Sequence, residues 1–185
     1  PGGDIVVTAR KREERLIDVP VAVSALSRET INRYGITDVK AITQNVPTLF
    51  ISPVPTGSGS SVNIRGLGSL GADVGVPNEV VFNIDGIPVN RGRVIGLGLL
   101  DTQRIEVLKG PQSLFFGRNS PAGVVSIISQ DPGNEFGGYA RASYEFASVR
   151  PSIEGAVDLP LGTDFSVRLA GKVTDQRGYI RNTAV

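Results

Sequence analysis

The sequence predicts an α+β domain followed by a short antiparallel sheet. The first observation is that 23 glycines and 12 prolines are spread along the 185 residues, which suits a loop-rich β protein better than a helical one. The second is that β-branched runs and two short capped helical segments share the chain up to residue 133. The third is that three segments after residue 133 alternate apolar and polar residues.

The composition excludes most simple enzyme mechanisms. The chain has 19 basic and 18 acidic residues, a net charge of +1, and no Cys, His, Met or Trp. Without Cys and His there is no disulfide framework, no thiolate or imidazole metal site, and no Ser-His-Asp or Cys-His arrangement. The interspersed charges give no reason to expect a nucleic-acid partner. We therefore expect no enzyme activity, no cofactor and no metal site in these residues.

The chain begins with a short β-prone segment on a charged tether. Asp4 to Ala9 is strand-prone, and the residues that follow it are mostly charged. Because a short peptide at a free terminus is seldom packed, we expect it to lie outside the core, as an edge strand or a frayed end. In an extended segment, Ile5 and Val7 would face one side, and Val6 and Thr8 the other.

A strand and two short helices are predicted next. Asp18 to Leu26 is rich in Val and alternates, and Ser27 is placed to cap a short helix that ends at Gly35. Thr37 is placed to cap a second helix, in which apolar residues recur at spacings of three and four. These apolar residues are Val39, Ile42 and Val46. Both helices are expected to be scaffold.

Residues 66–71 match the dinucleotide-binding pattern G-x-G-x-x-G. They follow a predicted strand at Ser61 to Arg65, and Asp85 lies about twenty residues further on. A dinucleotide site also needs a helix that begins inside the glycines and offers its N-terminus to a pyrophosphate. Residues 72–77 read Ala-Asp-Val-Gly-Val-Pro and cannot sustain that helix. We therefore disfavour this interpretation.

Loops separate the remaining strands of the first part. Thr48 opens a strand that decays into a Pro-, Gly- and Ser-rich loop. Val80 to Val89 is a strand, a tight turn at Asp85-Gly86 and a short return strand. Asn90 to Leu100 is a glycine-rich loop with two arginines, which either meet an anionic ligand or are simply solvated.

The stretch before residue 133 predicts a strand, a turn and a strand. Arg104 to Lys109 alternates polar and apolar residues, and Gly110-Pro111 ends the strand. Ser113 is expected to cap one helical turn that brings Leu114 to Phe116 inward. Ala122 to Ser129 is a β-branched run that predicts the second strand.

Three further segments alternate cleanly, at Tyr139 to Ala147, Ser152 to Leu159 and Asp164 to Thr174. This pattern is typical of transmembrane β-barrel strands with an apolar face toward lipid, and also of a soluble sheet with one wet face. Three strands cannot close a barrel, which needs at least ~8 in bacteria, and an open edge leaves backbone groups unsatisfied in lipid. The sheet is therefore either soluble or the beginning of a longer chain.

The run from Ile105 to Ile127 resembles the closing signature of the plug domain of TonB-dependent outer-membrane receptors. The matching residues are Ile105, Glu106, Val107, Lys109, Gly110, Pro111, Phe116, Gly117, Gly123, Val124 and Ile127. Val62 to Gly66 resembles the family's (I/V)-x-(I/V)RG motif, and Val80 to Val89 resembles its DG(V/I)P motif. Asp4 to Ala9 resembles the Ton box.

The resemblance implies a mixed β-sheet with short helices, preceded by a tether and followed by barrel strands. Residues 1–15 would be the Ton box and linker, and residues 16–133 the plug domain. Residues 134–185 would be about the first three strands of a barrel that has roughly 22 strands in the family. Since the chain lacks an initiating Met, we expect a processed or trimmed piece. Because three strands cannot close the barrel that the resemblance implies, we also expect a truncation at Val185.

The activity that the resemblance implies is active uptake of a scarce ligand across the outer membrane of a Gram-negative bacterium, most often an iron-siderophore chelate. The N-terminus would be periplasmic. TonB, energised by ExbB and ExbD, would capture the Ton box by β-augmentation. The implied partners are TonB, outer-membrane lipid and the ligand, with no nucleic acid and no cofactor. The alternative is a soluble periplasmic α+β binding module with no transport role.

The resemblance also assigns roles to named residues. The Ton box is Asp4, Ile5, Val6, Val7, Thr8 and Ala9. A charge lock between plug and barrel comprises Arg65, Glu106 and Lys109, in which Arg65 and Lys109 would pair with barrel glutamates and Glu106 lies nearby. The motif turns are Gly66, Asp85, Gly86, Gly110, Pro111, Gly117 and Gly123. The candidate ligand loops contain Thr56, Ser58, Ser60, Leu67, Ser69, Asp73, Asn90, Arg91 and Arg93.

One member of the expected charge lock departs from the family pattern. Many family members carry Arg where this chain has Lys109, and Lys lacks the bidentate fork that Arg offers a carboxylate. We expect a weaker or less directional contact there. The alternative for Arg65 and Glu106 is a pairing inside the plug sheet itself.

Overall fold

The computed structural model describes residues 5–8, 12, 14–54, 59–69, 79–89, 95, 99–117, 120–146, 149–162 and 164–175. The chain divides into two compact units, Pro1–Ser129 and Gln130–Val185. Each unit is described by itself, as the first unit and the second unit. Among the described residues, no helix is long and apolar enough to cross a membrane.

The first unit contains ten strands and two short α-helices among its described residues. In chain order the strands are β1 (Val6–Val7), β2 (Glu14–Arg15), β3 (Ala22–Ser27), β4 (Leu49–Pro53), β5 (Ser60–Ile64), β6 (Leu67–Ser69), β7 (Val80–Ile84), β8 (Ile87–Pro88), β9 (Thr102–Lys109) and β10 (Gly123–Ser129). The α-helices are α1 (Arg28–Arg33) and α2 (Ser113–Phe116), and 3₁₀ helices lie at Leu16–Asp18 and Lys40–Gln44.

The first unit is organised around a mixed five-stranded sheet in the order β3-β9-β10-β7-β8. Strand β9 is antiparallel to both β3 and β10, while β10 runs parallel to β7. A second sheet, β4-β5-β6, is antiparallel throughout, and β1 pairs with β2. The predicted mixed sheet with short helices is therefore confirmed.

Apolar side chains cover both faces of the five-stranded sheet. Because side chains alternate along a strand, Ile105 and Val107 of β9 join the larger cluster, and Leu108 joins the smaller one. The larger cluster includes residues of α1, β4 and β5 and the 3₁₀ helix at Lys40–Gln44. The smaller cluster consists of Val7, Val19, Val81, Leu108 and Val124. A sheet buried on both faces explains why β10 reads as a nearly continuous apolar run.

The helices agree with the sequence in position and differ in detail. Ser27 caps α1 as predicted, because its hydroxyl accepts a hydrogen bond from the Thr30 N–H at 3.4 Å. The second helix is a 3₁₀ helix, and Asp38 rather than Thr37 caps it by accepting a bond from the Ala41 N–H at 2.8 Å. The predicted apolar face is confirmed, since Val39, Ile42 and Val46 are all buried.

Two local predictions are wrong. The strand expected from Asp18 begins only at Ala22, because Leu16–Asp18 forms a 3₁₀ turn. Ser113 does not cap α2; it is the first helical residue and Gln112 occupies the cap position. Of the three apolar residues expected to turn inward, Phe116 packs against the smaller cluster, whereas Leu114 is 87% exposed.

The glycine pattern at residues 66–71 begins in a β-hairpin. Arg65 and Gly66 have φ values of 54° and 84°, as a two-residue type I′ turn between β5 and β6 requires. Asn63 lies opposite Gly68, and its carboxamide occupies the space that a Cβ at Gly68 would need. Of the described residues of this pattern, Gly66 lies in the turn and Gly68 in β6, so neither glycine begins the helix that a dinucleotide site requires.

The second unit is an antiparallel sheet of β11 (Gly137–Glu145), β12 (Arg150–Pro160) and β13 (Ser166–Thr174). The register places apolar residues of neighbouring strands side by side. One row of the apolar face consists of Ala142, Ile153 and Val173. Large side chains on this face are exposed. On the opposite face, Glu154 accepts a hydrogen bond from Tyr139 Oη at 2.6 Å and pairs with Lys172 at 3.5 Å.

Candidate functional site

A buried carboxylate lies on an interior strand of the five-stranded sheet. Glu106 is on β9, between Ala25 of β3 and Ser126 of β10 in the register, and it is 0% exposed. Glu106 and Leu108 are two residues apart on β9, so Glu106 lies on the face that carries the smaller apolar cluster. Burying a carboxylate is unfavourable unless donors and a counter-charge surround it.

Thr8 supplies two of the donors. Its main-chain N–H lies 2.8 Å from Glu106 Oε1 and 3.0 Å from Oε2. Its hydroxyl lies 3.1 Å and 3.3 Å from the same two oxygens. Hydrogen bonds to an ionised acceptor contribute about 1.5–3 kcal/mol each. The N-terminal segment is therefore bonded directly to β9, an interior strand of the sheet.

Arg104 supplies the counter-charge. Its Nε donates to Glu106 Oε1 at 2.9 Å, and both side chains are largely shielded from solvent. The two residues are two apart on β9, so their side chains share a face. The Arg104 Nη1 also donates to Gln103 Oε1 at 2.6 Å, which orients the guanidinium.

Val7 anchors the same segment by apolar contact. It is 0% exposed and belongs to the cluster with Val19, Val81, Leu108 and Val124. Burying a valine side chain contributes about 1.5–3 kcal/mol. Strand β1 pairs with β2 in the register Val6 to Arg15 and Val7 to Glu14, and the Leu16 N–H donates to Ile5 O at 2.8 Å.

The expectation that this segment lies outside the core is wrong. Val7 is fully buried because the sheet face offers an apolar cluster and an acceptor for Thr8 at adjacent places. Ile5 and Val7 share the sheet-facing side as predicted, and Val6 is exposed. Thr8 was predicted to face the same side as Val6, and this is wrong, because its hydroxyl contacts Glu106 on the sheet.

The three residues of the expected charge lock lie in different places. Arg65 is exposed at the β5–β6 turn, Lys109 is half-buried at the end of β9, and Glu106 is enclosed near the middle of the same strand. The alternative was a pairing inside the plug sheet, and Glu106 makes such a pair with Arg104. The sequence analysis did not identify Arg104. The pairing could have been found from its position, because Arg104 carries the opposite charge two residues before Glu106 and so shares its face of the strand.

The motif turns have backbone angles that explain their residues. Asp85 and Gly86 have φ values of 48° and 82°, forming the turn between β7 and β8. Gly110 and Gly117 also have positive φ, and Pro111 is exposed after the end of β9. Gly123 has a φ of 148°, and a Cβ there would lie 2.3 Å from Leu108 O.

Few of the predicted ligand-loop residues lie within the described part of the chain. Ser60 begins β5, where it pairs with Pro53, and Leu67 begins β6 with an exposed side chain. Ser69 ends β6. The predicted residues outside the described part are Thr56, Ser58, Asp73, Asn90, Arg91 and Arg93, and from the Ton box Asp4 and Ala9.

Solved structures share this fold. The pyoverdine outer membrane receptor FpvA from Pseudomonas aeruginosa PAO1 aligns with a TM-score of 0.75 and 19% identity, covering 95% of this chain and 25% of that chain. The ferric yersiniabactin uptake receptor FyuA from Yersinia pestis aligns with a TM-score of 0.66 and 23% identity, covering 83% of this chain and 23% of that chain. At these identities the likeness concerns the fold.

Sequence comparison identifies the family. The vitamin B12 transporter BtuB of Vibrio vulnificus (strain CMCP6) is 25% identical over 190 residues, covering 95% of this chain and 28% of that protein. The chain thus spans little more than a quarter of that relative, and the three relatives are transporters or receptors by name. Residues 15–124 match the family TonB-dependent Receptor Plug Domain. Since this match takes in more than half of the 185 residues, the chain belongs to the plug-domain family of TonB-dependent receptors.

Proposed function

We propose that this chain is the plug and first barrel strands of a transporter that takes up a scarce ligand across the bacterial outer membrane, driven by TonB. The observation that carries the proposal is the segment Ile5–Thr8, which is docked on the sheet by the main-chain N–H and hydroxyl of Thr8 and by the buried Val7. An extended segment that can leave the sheet is the kind of ligand that a partner binds by β-augmentation.

The second unit supports an outer-membrane location. Its strands contain 9, 11 and 9 residues, which matches the 9–11 residues of a tilted membrane-spanning strand. Its apolar face is exposed, with Ile153, Leu169 and Val173 all more than half exposed. A soluble sheet would cover such a face, whereas a barrel strand turns it toward lipid.

Exposed aromatic residues flank that apolar face. By the register, Phe136 and Phe165 lie near one end of the three strands, and Tyr144 and Phe146 near the other end. Tyr144 and Phe146 contact each other edge to face, with ring centroids 5.0 Å apart. Aromatic girdles at both ends of a lipid-facing band are typical of outer-membrane strands.

We propose an iron-siderophore type chelate as the ligand. Two of the structural relatives are named as receptors for pyoverdine and for ferric yersiniabactin. The sequence relative is named as a vitamin B12 transporter, which makes cobalamin the competing ligand. The proposed partners are therefore TonB with ExbB and ExbD, outer-membrane lipid and a chelate.

Uptake by cells tests this proposal. A strain lacking the full-length gene is compared with the parent strain, with a tonB deletion and with a complemented strain. Each is given ⁵⁵Fe-loaded siderophores of the pyoverdine and yersiniabactin classes, or ⁵⁷Co-cyanocobalamin. We expect uptake of an iron chelate to be lost in both deletions and restored on complementation. If the uptake of no probe depends on the gene, the proposal is overturned. If only cobalamin uptake depends on the gene, the ligand is cobalamin.

A further inference from the structure

We propose that Glu106 controls when the N-terminal segment is available to its partner. The Glu106 carboxylate is the acceptor that holds Thr8, and docking on Glu106 and capture by a partner strand exclude each other. This inference rests on the proposed function, because the partner is the TonB that would capture the segment. It gives Glu106 a role inside the first unit, with Thr8 and Arg104 as its partners.

Docking occupies main-chain groups of the segment that a partner strand would need. One edge of β1 is paired with β2, where Ile5 O accepts the Leu16 N–H and Val7 lies opposite Glu14. Neighbouring residues of a strand direct their main-chain groups to opposite edges, so the Thr8 N–H points away from β2. Glu106 holds that N–H with both carboxylate oxygens. Since β-augmentation needs main-chain groups along an edge, the docked segment is a poor ligand for a partner strand.

Arg104 makes the docking reversible. Glu106 accepts the Arg104 Nε–H at 2.9 Å, a bond within β9 that does not involve Thr8. A buried carboxylate with no partner is strongly destabilising, and retaining the guanidinium avoids that state. Release therefore removes the Thr8 donors while the ion pair stays in place. Arg104 is a positioning residue for Glu106, and Glu106 is the acceptor that determines the docked fraction.

Glu106 also fixes the register of docking. Apolar burial of Val7 is non-directional, and Val6 next to it would fill a similar volume. Moving the segment by one residue would exchange these two valines between the cluster and solvent. Only the observed register puts the Thr8 N–H and hydroxyl on the carboxylate while Val7 is buried. The carboxylate thus selects one docked state.

The test uses the full-length receptor with a nitroxide spin label on a cysteine that replaces the exposed Val6. The 185 residues contain no native Cys, so labelling in this part of the receptor is confined to that site. Glu106→Gln keeps the side-chain shape and removes the charge, while Thr8→Val removes the hydroxyl and keeps the N–H. The matched control is Glu154→Gln, which alters a carboxylate with the same kind of partners, Tyr139 Oη and Lys172.

We expect the ratio of mobile to immobile label to rise about tenfold in Glu106→Gln, as loss of a charge-assisted hydrogen bond implies. Thr8→Val should raise this ratio about threefold, and Glu154→Gln should leave it unchanged. Thr8→Val alters only the terminal segment, so it carries the test even where Glu106→Gln fails to assemble. An unchanged ratio in Thr8→Val, and in any assembled Glu106→Gln, would overturn the proposal.

Titration with the purified periplasmic domain of TonB separates this inference from the proposed function. Because only the released segment binds, the apparent Kd should fall by the factor by which the released fraction rises. Release without any TonB binding, in the variants and the parent alike, would leave the Glu106 inference standing and remove the proposed partner. TonB binding whose apparent Kd is the same in both variants and the parent would keep TonB as the partner and overturn the Glu106 inference.

Discussion

The Asp85 carboxylate accepts two hydrogen bonds from Ser129. The main-chain N–H of Ser129 donates to Oδ1 and its hydroxyl donates to Oδ2, each at 2.7 Å. The Asp85 N–H donates in turn to Ile127 O at 3.0 Å. The turn between β7 and β8 is thereby fastened to the end of β10, the last strand of the first unit.

Asp85→Ala should open this end of the sheet. It removes both bonds to Ser129 and leaves alanine at a φ of 48°, so we expect a local loss of about 2–3 kcal/mol. Asp85→Asn keeps an acceptor for the main-chain N–H and tolerates the left-handed backbone, so its loss should be about 1 kcal/mol. Hydrogen–deuterium exchange of β8 and β10 in the full-length receptor measures both losses. Equal exchange in both variants would contradict the assignment.

Val7→Ala should loosen the N-terminal segment. Removing two methyl groups from a fully buried site costs about 2 kcal/mol, because the apolar cluster loses contacts and retains a cavity. The neighbouring Val6→Ala is the control, since Val6 is exposed and should change the segment by less than about 0.5 kcal/mol. Exchange of the amides of residues 5–8 in the full-length receptor reports the difference. Similar effects of the two variants would show that Val7 is not an anchor.

Gly123→Ala should disrupt the pairing of β9 with β10. The new Cβ would lie 2.3 Å from Leu108 O and 3.0 Å from Ile64 Cδ1, at a φ of 148°. A backbone clash of this kind should cost at least about 3 kcal/mol. Gly171→Ala is the control, because a Cβ there has nothing within 4 Å. Folded receptor recovered from outer membranes should fall for Gly123→Ala alone; recovery at the parent level would refute the prediction.

Arg65→Ala should loosen the plug if its guanidinium holds barrel glutamates, as the family resemblance implies. Removing one member of such a buried pair costs about 3–5 kcal/mol. Arg65→Asn separates this role from the turn, because Asn suits the φ of 54° and removes the charge. We expect both variants to raise protease sensitivity of the plug and vancomycin leakage across the outer membrane. Parent-like behaviour of Arg65→Asn would confine Arg65 to the turn.

Leu169→Arg should impair assembly if the apolar face of the second unit meets lipid. An arginine on the lipid face costs about 2–4 kcal/mol near the bilayer centre. Ala170→Arg is the control, because the next residue along β13 points to the polar face and is exposed. The folded, heat-modifiable fraction in outer membranes measures assembly. Equal assembly of the two variants would count against lipid contact.

Local patterns predicted the elements whose signals are close together in the chain. Ser27 and Thr30 are three residues apart, so the cap of α1 is visible in the sequence. The two-residue turn at Asp85-Gly86 is encoded by two residues that tolerate positive φ. The alternation of β11, β12 and β13 likewise shows which residues share a face.

Local patterns failed where competing neighbours decided the outcome. Thr37 and Asp38 are both good caps, and only the folded chain shows that Asp38 bonds to the Ala41 N–H. Leu114 is apolar and follows a plausible cap, yet it is exposed, whereas Phe116 in the same turn packs against the smaller cluster. Hydrophobicity alone does not say which side of a one-turn helix is buried.

The sequence by itself determined the family, the mixed sheet, and the apolar and polar faces of the last three strands, because motifs and a period of two are local properties. Only the tertiary structure decided the fate of the N-terminal segment. Thr8 and Glu106 are 98 residues apart, and the local sequence around either residue does not predict their contact. A buried carboxylate takes the donors that folding brings to it, and here these are Arg104 on its own strand and the main chain of Thr8.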